Sequence, residues 1–175
     1  DPKILELCEK ALKKFEKLGH NVIKIDPPFS ATALWKSWTT LRSWSILGTY
    51  RSLYEDASSK ALLKPAVIWE AESALGRSAD DIFRASEVRS EWFRKTAESE
   101  VDIMALPSAQ IFPFDSETDW PKEVLGTKMD TYHRWMEVVI PASLTGLPAL
   151  SVPVGFGPEN TPIGMQLFGH RRKDA

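Results

Sequence analysis

Apolar positions recur at helical spacing from the start of the chain. Ile4, Cys8, Ala11, Leu12, Phe15 and Leu18 predict an amphipathic helix. Asp1 stands before Pro2 as an N-cap acid ahead of a first-turn proline, and Gly19 stands where a helix would stop. The run Asn21-Val22-Ile23-Lys24-Ile25 is β-branched and alternating, which predicts a strand over 22–25, ended by Asp26-Pro27-Pro28. Trp35, Trp38, Leu41, Trp44 and Leu47 predict one long helix over Ala31–Glu55, or two broken near Gly48. Another helix is predicted over 62–75. Ser78 and Asp81 form a capping-box pattern that opens a further helix through Ile82, Ala85, Val88 and Phe93 to Glu98.

Strand signals dominate the second half. A strand is predicted over 101–106, stopped by Pro107. Residues 107–130, rich in Pro, Ser, Asp and Gly, read as a long loop of the kind that is often functional. A helix is predicted over 131–139, ending before Pro141. Two further strands are predicted over 149–154 and 162–168. The nearly continuous apolar character of 149–154 suits a strand covered on both faces. Helices and strands in this order are the grammar of an α/β fold, part of a mixed β-sheet flanked by helices. No internal repeat, low-complexity tract or interdomain linker interrupts it.

Composition narrows the function classes. A length of 175 residues is that of one domain, and 43% hydrophobic with 26% charged residues is ordinary for a globular protein. The 22 basic and 24 acidic residues are scattered, so no patch argues for nucleic acid or an anionic membrane. No apolar run approaches the ~20 residues of a membrane span, and no signal-peptide pattern opens the chain. With one cysteine, Cys8, an internal disulfide is ruled out and a reducing, cytoplasmic location is expected. Cys8 lies on the apolar stripe of the first helix, where a small core residue is the better account than a nucleophile. Seven tryptophans are many for this length. Trp35, Trp38, Trp44, Trp69 and Trp135 fall in predicted helices, which points to a broad apolar surface, either core or docking face.

The most specific pattern lies late in the chain. Ile140-Pro141-Ala142-Ser143-Leu144-Thr145-Gly146-Leu147-Pro148-Ala149-Leu150-Ser151-Val152-Pro153-Val154-Gly155-Phe156 is followed by Thr161-Pro162-Ile163-Gly164-Met165-Gln166-Leu167-Phe168-Gly169. Together these resemble the C-terminal motif of the amidase-signature family, with Ser143 in place of that motif's usual Asn. Three upstream segments agree in order. Leu18-Gly19-His20-Asn21-Val22 resembles the family's strand entry, Leu63-Lys64-Pro65 through Gly76 one of its helices, and Phe93 through Pro107 one of its strands. The Trp-rich stretch 31–60 matches least. Read from the residues alone, the glycines and prolines of the late motif punctuate turns and strand ends, and give fold rather than chemistry.

The resemblance implies an amide hydrolase with a Ser-cis-Ser-Lys triad, in which a serine attacks the carbonyl and a neutral lysine controls proton transfer. In the family those residues sit on a Gly/Ser-rich segment of the N-terminal half. This sequence has no Gly-Gly pair, and its one Ser-Ser, Ser58-Ser59 followed by Lys60, lies in a polar stretch that reads as solvated surface. No catalytic residue is therefore assigned within the chain. It is expected to be the C-terminal portion of an amidase domain, residues 1–175, cut at both ends. Its partners would be the missing N-terminal catalytic part of the same protein and a small-molecule amide, with a homo-oligomer left open.

No cofactor is expected. His20, His133 and His170 lie far apart without a second ligand at metal spacing. Asp80, Asp81, Glu87 and Glu91, interleaved with Arg84, Arg89 and Arg94, read as a solvated, ion-paired helix face. By resemblance, the helix before the late motif and the helix over 65–76 would contribute to the substrate pocket, which singles out Tyr132, Trp135, Met136 and Trp69. Packing competes with binding as the account of all four. Glutamine-using relatives place an acid and an arginine where Met136 and Val67 fall in this chain, so the resemblance points to a less polar amide. The rival reading is a non-catalytic binding or regulatory protein that keeps the fold. A self-contained domain would show no large exposed apolar face, and a fragment would show one.

Overall fold

The computed structural model describes residues 1–172. Lys173 and Asp174, at the end of the family-like segment, lie outside the described residues. In chain order the elements are α1 (Pro2–Lys17), α2 (Ala31–Glu55), α3 (Ala57–Lys60), α4 (Pro65–Leu75), α5 (Ala79–Ala97), β1 (Ile103–Pro107), β2 (Glu123–Val124) and β3 (Thr127–Lys128). A 3₁₀ helix (Arg134–Val139), α6 (Ile140–Thr145), β4 (Ala149–Phe156), a 3₁₀ turn (Pro158–Asn160) and β5 (Pro162–Gly169) follow. These divide into two units, residues 1–28 with those from 95 onward, and Phe29–Arg94.

In the first unit α1 forms as its pattern dictates. The Asp1 carboxylate accepts from the Lys3 N–H at 2.8 Å. At the other end His20 N–H bonds to Phe15 C=O and Gly19 N–H to Glu16 C=O, with Gly19 at φ +92°. This is a Schellman stop, and the Phe15 and His20 rings close over it at 5.9 Å. The apolar stripe Ile4, Cys8 and Ala11 buries against Ile163 and Met165 of β5. The sheet order is β1-β5-β4, and both pairings are antiparallel. Successive β5 side chains point to opposite faces, so Ile163 and Met165 meet α1 while Gln166 and Phe168 are buried on the other side. The fold class is α/β.

Three expectations are corrected here. Residues 22–25 form no strand, and Ile23 and Ile25 are exposed. Their alternation suits a strand, but a strand needs a neighbour, and none of the described strands pairs with them. The strand buried on both faces is β5, not the one over 149–154. β4 is the edge of the sheet, with Leu150 61% and Phe156 60% exposed. Finally, 131–139 is not one α-helix but a turn leading into the 3₁₀ helix, and α6 begins with Pro141 in its first turn. Pro141 has no N–H to give the Glu137 carbonyl four residues back, and Ile140 N–H takes that carbonyl in the tighter 3₁₀ pattern instead. The loop of 107–130 also contains a small hairpin, β2–β3, turned by Leu125 and Gly126, both at positive φ.

The second unit is helical. α2 runs unbroken past Gly48, which resolves the choice between one helix and two. Leu47 of α2 packs with Ala71 and Ala74 of α4. Ser78 and Asp81 close the expected capping box, each backbone N–H bonded to the other's side chain at 2.9 and 3.1 Å. Trp35 stacks on Trp38 with ring centres 6.0 Å apart. Trp92, a helical tryptophan that the spacing argument passed over, is the deeply buried one, with Phe29 edge-on at 5.0 Å.

Candidate functional site

Tyr132, Trp135 and Met136 all fall on the short segment that leads from the β2–β3 hairpin into α6. Tyr132 sits in the turn before the 3₁₀ helix, exposed, its ring edge-on to the buried His133 at 4.9 Å. Trp135 lies within the 3₁₀ helix, partly buried, and meets Phe114 edge-on at 5.4 Å. Met136 departs from helical geometry at φ −115° and ψ 22°. With Tyr132 before the 3₁₀ helix and Met136 non-helical within it, the three do not share one α-helical face. Trp69 belongs to the helical unit, half-exposed on α4.

The polar groups of this segment are unevenly satisfied. Trp135 Nε1 and Thr131 Oγ1 are buried without a hydrogen-bond partner among the described residues, an arrangement that costs free energy for each group left unpaired. Glu137 lies 3.3 Å from Arg134, which also approaches Asp130 at 3.5 Å. Burial pushes the Glu137 carboxyl above its ordinary range, Arg134 pulls it down and Asp130 pushes it up.

Two residues that motif reading missed as site components secure the segment. Gln110 Oε1 accepts from the Val138 N–H, and Gln166 Nε2 donates to the Val138 carbonyl, each at 2.9 Å. Gln110 sits in what the sequence offers only as a loop. Gln166 is visible as a motif position, but its role is not, because the bonded groups are main-chain atoms 28 residues away.

The groups with nucleophile-like chemistry are engaged elsewhere. Ser58 Oγ donates to Asp56 at 2.6 Å, and that carboxyl is held down to about 2 by Ser58 and Ser59. Lys60 Nζ lies 4.0 Å over the Tyr54 ring and 3.3 Å from Glu72. Hydrogen bonding to Tyr54, more than the Glu72 contact, raises its ammonium above the usual lysine range, the reverse of what a neutral lysine base requires. Cys8 is buried, and burial pushes its thiol up. Among the described residues no three His, Cys, Asp or Glu side chains group as metal ligands, and no helix is long and apolar enough to cross a membrane.

Known proteins share this fold. A bacterial aryl acylamidase of the amidase-signature enzymes superposes with a TM-score of 0.83 at 21% identity, covering 99% of this chain and 38% of that one. An acylamidase of Rhodococcus erythropolis is 24% identical over 178 residues, which is 100% of this chain and 37% of that protein. A component of the glutamyl-tRNA(Gln) amidotransferase of Prosthecochloris aestuarii (strain DSM 271 / SK 413) is 37% identical over 92 residues, 50% of this chain and 17% of that protein. The chain thus spans well under half the length of the curated relatives it matches. The family model described as Amidase matches residues 1–175, and the chain belongs to this family, the amidase-signature family.

Proposed function

We propose that the chain is the C-terminal part of an enzyme that hydrolyses a carboxylic amide. Its Ser-cis-Ser-Lys set would lie in polypeptide outside these 175 residues. The observation that carries this reading is a whole-chain family match in a sequence without the Gly/Ser-rich segment such a triad needs. The open sheet supports it too. Leu150 and Phe156 on β4, Ile103 on β1, and the unpaired Ile23 and Ile25 leave apolar side chains in water. A long edge strand of this kind invites pairing, which favours a fragment over a self-contained regulatory protein.

The first unit would supply one wall of the substrate cleft through Tyr132, Trp135 and Met136, and Trp69 of the helical unit stays a separate candidate by resemblance. Two features favour an aryl or alkyl amide over glutamine. Met136 and Val67 carry no charge for an amino acid's ammonium and carboxylate, and the neighbouring acid, Glu137, already has Arg134 beside it. The full-length protein should therefore hydrolyse apolar amides in preference to glutamine, and the 175-residue chain alone should hydrolyse none. Labelling of the isolated chain by a serine-reactive probe, or glutamine as the preferred substrate of the full protein, would overturn the respective halves of this reading.

A further inference from the structure

One residue of the Trp135 segment, Val138, is gripped by its main chain from two directions. The Val138 N–H donates to Gln110 Oε1 and the Val138 C=O accepts from Gln166 Nε2, both at 2.9 Å. The same Gln166 amide nitrogen donates to the Pro107 carbonyl at 2.9 Å. Gln166 is 7% exposed and sits at the middle of β5, opposite Leu106 of β1 and Ser151 of β4. Both of its neighbours are carbonyl oxygens, so its amide orientation is fixed by chemistry, with the NH₂ facing inward and two hydrogens spent on two acceptors. A six-residue 3₁₀ helix that kinks at Met136 has poor internal hydrogen bonding and little means of fixing its own position. The central strand, the end of β1 and the loop after it hold it instead.

We propose that Gln110 and Gln166 are positioning residues that set the place of Trp135 and Met136, and through them the enzyme's selectivity for apolar amides. This rests on the cleft-wall reading given above. The two glutamines act with opposite polarity, one accepting and one donating, so a carboxylate discriminates between them. Gln110→Glu keeps the acceptor for Val138 N–H. Gln166→Glu turns lone pairs toward two carbonyls, a repulsion that raises the introduced carboxyl's pKa and is relieved when it is protonated and can donate again.

The test uses the full-length protein with an anilide of a hydrophobic acid and with a small polar amide. Gln166→Glu and Gln110→Met should each raise KM for the anilide by about tenfold, the fold-change of one buried polar group left unpaired. Neither should change KM for the polar amide, and kcat should hold. The Gln166→Glu defect should shrink as pH falls, a step absent from the wild-type profile, while Gln110→Glu should behave as wild type. Hydrogen exchange at the Val138 amide should quicken in Gln110→Met and not in Gln110→Glu. If Gln166→Glu does not fold, the Gln110 pair decides. Unchanged KM values in both destabilised variants, or equal losses on both amides, overturn the proposal. A wild-type protein that turns over no amide instead refutes the functional reading, and the exchange result then still reports whether the grip exists.

Discussion

Arg42 Nε lies 2.7 Å from a carboxylate oxygen of Glu70, a residue only 3% exposed, and this pair ties α2 to α4. The Arg42 guanidinium also lies 5.3 Å from the centre of the Trp38 ring. A buried carboxylate is tolerable while a cation and hydrogen bonds compensate its lost hydration, and removing the cation alone is costly. Arg42→Ala should therefore destabilise the protein by about 2–3 kcal/mol, below the fully buried scale because Arg42 itself is partly open to water. Arg42→Lys should cost less, since it keeps the charge and loses the planar fork. Urea denaturation measures both, and a loss in Arg42→Ala within the ~0.5 kcal/mol of an ordinary surface change would show that Glu70 does not depend on this partner.

The Ser78–Asp81 box gives a smaller, local prediction. Ser78 Oγ accepts from the Asp81 N–H, and the Asp81 carboxylate takes both the Ser78 N–H and its hydroxyl. Ser78→Ala should cost about 1 kcal/mol, the usual worth of an N-cap side chain. Ser78→Asp should recover part of it. Equal stability of the alanine variant and wild type would mean that α5 does not start from this cap.

How much of this was legible in advance depends on where each signal resides. The α1 stop at Gly19, the capping box and the spans of β1 and β5 come from neighbouring residues, and their patterns read through to the structure within a residue or two. What failed depends on distant partners. Residues 22–25 have a strand's alternation but no described neighbour. β4 has a buried strand's composition but stands at an edge. The 3₁₀ geometry around Trp135 follows from one missing N–H at Pro141 and from two glutamine side chains fixed elsewhere, which no periodicity encodes. The four candidate binding residues were named from resemblance. The structure places three of them on one segment and Trp69 on α4, while the grip of Gln110 and Gln166 was invisible in sequence because its partners are main-chain atoms.

Glu137 gives a pH dependence with a definite sign. Burial holds its carboxyl above the ordinary 4.5 despite Arg134. A group whose folded pKa is raised binds its proton more tightly folded than unfolded, so stability falls as pH rises from 4.5 through the raised value. Glu137→Gln should remove that slope, so the variant gains on wild type as pH rises across the window. Denaturation midpoints on either side of it, together with an NMR titration of the Glu137 carboxyl, provide the check. A titration at or below the ordinary value would show that Arg134 outweighs burial.

Trp135 distinguishes a cleft wall from a packed core. Its ring meets Phe114 edge-on at 5.4 Å, and its indole N–H is buried without an acceptor among the described residues. In the amide hydrolase proposed above, Trp135→Ala should weaken kcat/KM for aryl or alkyl amides by about 1–3 kcal/mol, the scale for losing a large apolar surface from a site. A charged amide draws on other contacts and should lose less. Trp135→Phe keeps most of the apolar surface and removes the N–H, so it should retain apolar selectivity if the wall matters more than the donor. Thermal stability must be measured beside the kinetics. A variant that melts earlier while keeping wild-type kcat/KM on every amide would assign Trp135 to the core and remove it from the substrate wall.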